Sequence, residues 1–374
     1  MAGKSNEQEP QTYASTGVNY EAMDPFKRLG QLTARKTSSN LERLGMSVVE
    51  ASRGESAFVW DRGDHYAASV IEGLGTKNLV ADATREITGK TYYDQVAQDT
   101  VAMIINDLIV VGAEPEVINM YVGSGASEWF EDLERAEDLI VGWKKACDLA
   151  GAAWGGGESP TLKGIIAPNA GEILGSATGI IKPKDRLTLG EKLVAGDRIL
   201  LVESSGIHAN GLTLARSIAE KLPFGYKTEL SDGSIYGEAL LNPTHIYAAL
   251  VRNLFEEGID IHYMVNVTGH GWRKLMRVTQ SFSYVIEDIP EPQPIFEFIQ
   301  KQSGNDDREM YGNFNMGVGF AIFLPGKDVE KARKIARLNH GMEALNAGVV
   351  QEGSMEVIIQ PKNLQYSSGT LEVR

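Results

Sequence analysis

The run from Tyr93 to Val111 constrains the fold more than any other stretch of the sequence. Its apolar residues recur with the 3.6-residue period of an α-helix and cover a wide face, namely Val96, Ala97, Val101, Ile104, Ile105, Leu108 and Val111. Asp99, Asn106 and Asp107 interrupt this pattern. At ~100° per residue, Asp99 and Asn106 lie within ~20° of each other, and Asp107 lies ~80° from Asp99. Buried carboxylates are costly unless they are paired or bound to metal. The cluster therefore indicates a polar site, with a capping or solvent-facing role as the alternative.

A glycine-rich loop follows the apolar, strand-like run from Tyr66 to Ile71. It contains a carboxylate, two glycines, a hydroxyl and a lysine, at Glu72, Gly73, Gly75, Thr76 and Lys77. Glycines let backbone N–H groups approach a phosphate, a lysine adds positive charge, and a carboxylate can hold a divalent cation. The pattern indicates a phosphate site, although a tight turn that merely ends a strand is the more common explanation.

Two later loops are further candidates for a functional site. Residues 155–160 predict a flexible loop in which Glu158 follows three glycines, either as a plain linker or to bring a carboxylate to a metal. The strand Arg198–Val202 ends in a glycine- and serine-rich loop before a helix at 212–221, a layout that can place an anion at the helix N-terminus. The alternative is a capped turn with nothing bound. His208 in this loop is a candidate acid or base, but a lone loop histidine is more often structural.

The chain of 374 residues is long enough for two domains. We predict a disordered tail at 1–12, an amino-terminal domain at 13–184 and a carboxy-terminal domain at 185–374. Further helices are predicted at 25–44, 129–150, 241–256, 294–302 and 329–338, and strands at 57–60, 66–71, 116–123, 171–181, 262–267, 282–286, 316–324 and 347–359. Both halves mix strands and helices without strict alternation, which predicts an α+β fold or a mixed sheet.

Charge and composition exclude several classes of partner. The 36 Lys and Arg residues and 50 Asp and Glu residues give a formal net charge of −14. Such a balance argues against general binding to nucleic acid or anionic membranes, but it allows a local basic pocket for phosphates. The single cysteine, Cys147, excludes an intramolecular disulfide and a cysteine-rich metal site. No apolar run approaches the ~20 residues that span a bilayer, and residues 1–12 lack a signal-peptide core. We therefore expect a cytoplasmic protein without nucleic-acid or membrane partners.

Several motifs in order along the chain resemble those of the phosphoribosylformylglycinamidine cyclo-ligase family, the aminoimidazole ribonucleotide synthetases. The motifs occupy residues 13–19, 72–77, 99–108, 111–115, 156–158, 204–211, 242–247, 268–271 and 314–319. The resemblance implies an amino-terminal mixed sheet that joins that of a second copy in a central barrel, with nucleotide sites at the interface. It also implies a carboxy-terminal α/β domain with a mixed sheet.

The resemblance further implies an activity and its cofactors. Members of the family close the imidazole ring of formylglycinamidine ribonucleotide with ATP and Mg²⁺, giving ADP and phosphate. ATP would phosphorylate the formamide oxygen, an amidine nitrogen would attack the activated carbon, and phosphate would leave.

The family's site residues can be placed on this sequence where the motifs match. The implied metal-facing acids are Glu72, Asp107 and Glu158. The residues implied in binding ATP are Gly73, Gly75, Thr76 and Lys77, supported by Asp99 and Asn106. Those implied beside the ribonucleotide are Ser204, Ser205, Gly206, His208, Asn210, Thr268 and Gly269. Catalytic roles fall to Lys77, Asp107 and His208, with His208 as the candidate proton carrier.

The chain departs from the family pattern at several positions. Glu72 stands where the pattern has aspartate, Ala14 and Ser15 stand where it has Lys-Asp, and His270 interrupts a glycine triplet. Two alternatives to the cyclo-ligase therefore stay open. One is a related ATP-dependent phosphoryl-transfer enzyme with another acceptor, and the other is a non-catalytic paralogue that binds nucleotide.

Overall fold

A computed structural model describes residues 20–371. The predicted tail at 1–12 and the motif at 13–19 lie outside these residues. The helices of the amino-terminal half are α1 (Tyr20–Arg35), α2 (Ser39–Glu42), α3 (Lys77–Thr88), α4 (Tyr93–Ile109) and α5 (Leu133–Ala150). Its strands are β1 (Ser47–Val48), β2 (Phe58–Asp61), β3 (Tyr66–Gly73), β4 (Glu114–Ser124), β5 (Ala153–Glu158) and β6 (Gly171–Ile181).

The six strands of this half form one mixed sheet in the order β1-β2-β3-β6-β4-β5. Only the pairing of β4 with β5 is parallel. Helix α4 lies between the sheet and α5, and its predicted apolar face is almost completely buried. Burial on both sides explains why the apolar face is so wide.

The carboxy-terminal half forms a second mixed sheet with its own helices. The helices are α6 (Leu212–Ala219), α7 (Tyr236–Leu240), α8 (Ala248–Glu256), α9 (Pro294–Ser303), α10 (Asp307–Asn313) and α11 (Val329–His340). The strands are β7 (Arg198–Glu203), β8 (Tyr263–Asn266), β9 (Phe282–Ile286), β10 (Val318–Leu324), β11 (Ala344–Glu352), β12 (Glu356–Ile359) and β13 (Leu364–Ser367). Their order is β13-β12-β9-β11-β7-β10-β8, with β9 and β12 parallel and the other pairs antiparallel. Two mixed sheets with helices confirm the predicted α+β, two-domain fold.

The prediction of a loop at 155–160 is wrong for most of that range. Residues Ala153–Glu158 form the edge strand β5, which pairs in parallel with β4. At Gly157 the two backbones approach closely, because a Cβ there would lie 2.3 Å from the Met120 carbonyl oxygen. The glycine permits a tight strand contact rather than flexibility.

Two predicted helices have different bounds in the structure. The helix predicted at 25–44 is divided between α1 and α2, and at the break the Thr37 hydroxyl donates to the Ala34 carbonyl at 2.7 Å. Such side-chain bonds to the backbone compete with helix continuation. The helix predicted at 241–256 begins only at Ala248. Pro243 disfavours helical geometry in the residue before it, and residues 242–247 have no regular structure. The prediction missed helices α3, α7 and α10 and strands β1 and β13.

Membrane insertion of a helix is not supported by the described part of the chain. Within residues 20–371, no helix combines the length and the apolar character needed to cross a bilayer.

Candidate active site

A cavity of about 500 Å³ lies between the two halves of the chain. The amino-terminal half contributes Glu72 from the end of β3 and Asp107 from α4, together with residues of α1. The carboxy-terminal half contributes Asn210, Thr268 and Lys274, among others. Four residues that the sequence assigned to a site, namely Glu72, Asp107, Asn210 and Thr268, therefore line one cavity.

The two acids make one wall of this cavity negative. Asp107 is buried, and its Oδ1 accepts a hydrogen bond from Asn266 Nδ2 at 2.7 Å. Burial, and then the charge of Asp107, raise the pKa of Glu72 from 4.5 to about 7, while Lys274 and Arg277 oppose this rise. Two carboxylates that destabilise each other's charge favour either a shared proton or a cation between them. The sequence prediction that Glu72 and Asp107 belong to one site agrees with this arrangement.

The raised pKa of Glu72 predicts how stability depends on pH without metal. Because the folded protein binds this proton more tightly than the unfolded chain does, the contribution is present below pH 4.5 and is lost as pH rises through about 7. Wild type should therefore lose at least about 1 kcal/mol relative to Glu72→Gln between about pH 5 and about pH 8. Urea unfolding in a metal chelator measures this difference. Glu86→Gln is the control, since Glu86 on α3 is exposed, and equal pH profiles for wild type and Glu72→Gln would refute the assignment.

Three basic side chains that the sequence did not single out also line the cavity. They are Lys27, Lys274 and Arg277. Lys274 is 8% exposed, and its ammonium donates to Thr268 Oγ1 at 2.5 Å. Arg277 donates to the Gly54 carbonyl at 2.9 and 3.1 Å, which fixes its guanidinium. A signal was present in the sequence, because residues 273–277 hold three basic side chains directly after the glycine turn.

His270, the residue that interrupts the family's glycine triplet, also lines the cavity. Burial, and then the neighbouring cations Arg273 and Lys274, lower the pKa of His270 to about 3. The imidazole is therefore neutral near pH 7, and Gly269 beside it is half-buried. The departure adds a polar ring to the cavity without adding charge.

Lys77 does not face the cavity. Its side chain is completely buried, and its ammonium forms an ion pair with Asp99, Nζ and Oδ2 being 2.7 Å apart. It also donates to the carbonyl oxygens of His208 at 3.1 Å and Asn242 at 2.9 Å. With three protein oxygens around it, the ammonium has no donor left for a ligand. The expectation that Lys77 meets a phosphate finds no support in this arrangement.

Asp99 and Asn106 join α4 to the carboxy-terminal half. Asp99 Oδ1 accepts from the backbone N–H of Thr244 at 2.8 Å and from its hydroxyl at 2.5 Å. Asn106 donates to the His245 carbonyl at 2.8 Å and accepts from the Tyr247 N–H at 3.0 Å. The irregular segment 242–247 has few backbone partners of its own, and these side chains provide them. This explains two of the polar residues on the apolar helix, and it excludes the solvent-facing alternative.

The serine-rich loop after β7 is bound mainly to protein. The Ser204 hydroxyl donates to Asn315 Oδ1 at 3.2 Å, and the Ser205 hydroxyl donates to the Pro243 carbonyl at 2.6 Å. The Gly206 carbonyl accepts from Asn315 Nδ2 at 2.9 Å. These groups give the loop its shape, and none of the three residues lines the cavity.

His208 has a positioning role in the same loop. Its Nε2 accepts from the Ser205 N–H at 3.2 Å, and its backbone has a φ of +62°. A Cβ on Gly319 would lie 2.6 Å from His208 Cε1, so the ring fits tightly over β10. Burial holds the pKa of His208 well below its usual value, with the charges of His245 and Lys77 acting in the same direction. A buried, neutral ring whose Nε2 already accepts a hydrogen bond does not suit a proton carrier, and only Asn210 of this loop reaches the cavity.

A single chain does not bring the three predicted metal-facing acids, Glu72, Asp107 and Glu158, close to one another. Glu158 is exposed on β5. Glu72 on β3 pairs with Gly175, which pairs with Met120, which pairs with Gly157, the neighbour of Glu158 on β5. Glu72 and Glu158 are therefore three strand spacings apart, or roughly 14 Å in a flat sheet. Within residues 20–371, no group of three His, Cys, Asp or Glu side chains is arranged to hold a metal ion. Glu72 and Asp107 share a cavity, whereas Glu158 lies across the sheet.

The remaining loop residues lie where β3 meets α3. Gly73 is the last residue of β3, Gly75 has a φ of +77°, and Thr76 immediately precedes α3. Gly75 has the left-handed conformation that favours glycine, and no atom lies within 4 Å of a Cβ placed there. The loop is therefore an open turn beside Glu72, as its glycines predicted.

Comparison with known proteins identifies the family. The model of the family described as "AIR synthase related protein, N-terminal domain" matches residues 54–181, and that of its C-terminal domain matches residues 194–360. The chain belongs to this family. A phosphoribosylformylglycinamidine cyclo-ligase of Methanosarcina barkeri is 34% identical over 326 residues, covering 87% of this chain and 92% of the relative. One from Pyrococcus furiosus is 35% identical over 343 residues, covering 91% and 95%.

Solved structures with a similar fold include a hydrogenase maturation protein and a thiamine-monophosphate kinase. The hydrogenase maturation protein HypE in complex with ATP has a TM-score of 0.55 and 20% identity, covering 72% of this chain and 78% of its own. Thiamine-monophosphate kinase from Stenotrophomonas maltophilia has a TM-score of 0.58 and 15% identity, covering 81% and 88%. At such identities the likeness establishes the fold and nothing more.

Proposed function

We propose that this protein closes the imidazole ring of formylglycinamidine ribonucleotide, using ATP and releasing ADP and phosphate. The observation that carries the proposal is the identity of about a third to cyclo-ligases across nearly the whole of both chains. The cavity supports it, because residues of both domains line it and they include both acidic and basic side chains. Such a site suits a phosphate-bearing substrate together with a metal-bound nucleotide.

The proposed chemistry has two steps. The formamide oxygen takes the terminal phosphoryl group of ATP, and ADP leaves. An amidine nitrogen then attacks the activated carbon, the carbon–oxygen bond breaks, phosphate leaves, and the ring is closed. A carbonyl oxygen is a poor leaving group until it is phosphorylated, which is why the reaction consumes ATP. The protein would hold both reactants in one enclosed cavity, where proximity replaces a bimolecular encounter.

We assign Glu72 and Asp107 as the residues that would hold Mg²⁺. Carboxylate oxygens are the ligands that Mg²⁺ prefers, and burial and the charge of Asp107 raise the pKa of Glu72 to about 7 even though Lys274 and Arg277 act in the other direction. When bound, the ion would stabilise negative charge on the transferred phosphoryl group. The glutamate at position 72 reaches one methylene further than the family's aspartate, while keeping the same oxygen chemistry.

The other site residues divide into two proposed groups. Asn210, Thr268 and Gly269 would contact the ribonucleotide, and the open turn at Gly73, Gly75 and Thr76 would approach the nucleotide phosphates. The second group does not line the cavity and would hold the loops of the first group in place. It consists of Lys77, Asp99, Asn106, Ser204, Ser205, Gly206 and His208. This division follows from which of them line the cavity and which bind protein oxygens and nitrogens.

We also propose a cytoplasmic homodimer in which Glu158 completes the site of the partner. All six residues of β5 are exposed, so an edge strand with Glu158 is available for a second copy. Helix α1 exposes Met23, Phe26, Leu29 and Leu32, an apolar stripe that a partner would cover. Sedimentation analysis tests the proposal, because a single species with the mass of one chain would contradict it.

The decisive test is turnover by the purified protein. With formylglycinamidine ribonucleotide, ATP and Mg²⁺, we expect one ADP to be released for each aminoimidazole ribonucleotide formed, with both products followed by mass spectrometry. An established cyclo-ligase run in parallel is the positive control for the substrate. If the control turns over and this protein neither closes the ring nor releases ADP, the proposed reaction is wrong. ADP release that requires another acceptor would instead support a related phosphoryl-transfer enzyme.

A further inference from the structure

Lys274 is a buried lysine that faces the cavity. It is 8% exposed and lines the same cavity as Glu72 and Asp107. Among residues 20–371, Thr268 Oγ1 is the only hydrogen-bond acceptor of its ammonium, at 2.5 Å. An ammonium has three donors, so two of those on Lys274 are left for the cavity.

In the described part of the chain, the ammonium of Lys274 has no carboxylate beside it to balance its charge. No described carboxylate lies within ion-pair distance of its ammonium, although Asp107, Glu72 and Glu55 act on it from further away. Burial lowers the pKa of Lys274 more than these acids raise it. A buried cation is costly unless an anion or several acceptors surround it. Lys77 shows the satisfied case, with a carboxylate at 2.7 Å and two carbonyl oxygens.

The neighbours of Lys274 make an anion the fitting ligand. Arg277 is a second cation near Lys274. Its guanidinium donates to the Gly54 carbonyl and the Ser56 hydroxyl, and it forms an ion pair with Glu55 at 3.7 Å that partly neutralises its charge. The Thr268 hydroxyl accepts from Lys274 and keeps its own proton to donate. An ammonium beside a hydroxyl donor matches the oxygens of a phosphate group.

We propose that Lys274 is the phosphate-binding lysine of this cavity, with Thr268 beside it and Arg277 behind it. The assignment deepens the proposed function and rests on it for the identity of the ligand. The ligand class is a phosphate ester, either the terminal phosphate of a nucleotide or the 5′-phosphate of a ribose. Glu72 and Asp107 would hold the divalent cation that a nucleotide phosphate carries, so the cation should strengthen binding of the nucleotide phosphate and matter less for the ribose phosphate.

Calorimetric binding of two probes tests the assignment without any turnover. The probes are ADP with Mg²⁺ and ribose 5-phosphate. Lys274→Met should weaken the binding of one probe by about 10-fold or more, because it removes a charge-assisted hydrogen bond while keeping an unbranched side chain. Lys274→Arg should recover part of the loss. The control is Lys301→Met, an exposed lysine on α9, which should bind both probes as wild type does.

The outcomes separate the assignment from the proposed reaction. Loss of ADP affinity identifies a nucleotide phosphate, and loss of ribose 5-phosphate affinity identifies the substrate phosphate. If Lys274→Met binds both probes as wild type does, or if wild type binds neither, the assignment is overturned. If the Met variant does not fold, Thr268→Val removes the neighbouring hydroxyl and should weaken the same probe by about 3-fold or more. A protein that fails the turnover test but loses probe affinity on Lys274→Met keeps its phosphate site and loses only the proposed reaction.

Discussion

Replacing Asp107 with asparagine is expected to lower kcat/KM for ring closure by roughly 10²- to 10³-fold. Asparagine keeps the shape of the side chain and an oxygen that can accept from Asn266 Nδ2, now 2.7 Å from the carboxylate. It removes the charge that would hold Mg²⁺ beside Glu72. Stabilisation of charge on a transferring phosphoryl group depends on that ion, so transition-state stabilisation should fall more than folding stability does.

The matched control for this variant is Asp94→Asn. Asp94 lies in the first turn of the same helix and is exposed, so the substitution removes one charge from α4 without touching the cavity. Steady-state kinetics and calorimetric binding of ADP with Mg²⁺ should separate the two variants. Retention of both metal-dependent binding and turnover in Asp107→Asn would show that Asp107 is not a metal ligand.

Replacing Asp99 with asparagine is expected to lower the free energy of unfolding by about 3–5 kcal/mol, as seen when one partner of a buried ion pair is removed. The Lys77 ammonium would remain completely buried, with two carbonyl oxygens and no anion beside it. The loss should be visible as a lower midpoint in urea unfolding. It should be accompanied by weaker substrate binding, because the loop at His208 and the segment at Asn242 are held by the same ammonium.

The exposed ion pair between Lys144 and Asp148 is the control for this prediction. Its side chains are 69% and 63% exposed, and its Nζ and Oδ2 atoms are 2.6 Å apart, close to the distance in the buried pair. Asp148→Asn should leave the free energy of unfolding nearly unchanged, because solvent screens exposed charges. An equally small effect for Asp99→Asn would contradict the interdomain role. A variant of Lys77 that folds like wild type yet loses only nucleotide affinity would restore the phosphate role.

Of the two buried lysines, the one that the sequence suggested as a phosphate ligand, Lys77, does not face the cavity, whereas Lys274 does. Lys77 lies in a glycine-rich loop, and its motif indicated a phosphate ligand, but Asp99 neutralises it. Lys274 follows another glycine turn and drew no attention, yet it faces the cavity with two donors unused. Both side chains are apolar for most of their length and charged at the tip, so a sequence cannot say whether the tip reaches a ligand or a protein carboxylate.

The sequence by itself determined the family, the two-domain α+β fold and the buried helix α4. The periodicity of α4 specified which face is buried, and its interruptions marked Asp107 as a site residue. The glycine-rich loop made Glu72 a candidate, and the family resemblance implied that it shares a site with Asp107. These features are local, because helix period, strand alternation and glycine turns depend on residues close together in the chain.

Only the tertiary structure decided what each polar group binds. Asp99 and Thr244 are 145 positions apart, and Lys77 and His208 are 131 apart, so no local pattern predicts that they meet. The docking of the two domains brings them together and leaves Lys274 facing the acids. A buried charge has its free energy set by every group packed around it, and that packing follows from the whole fold rather than from any motif.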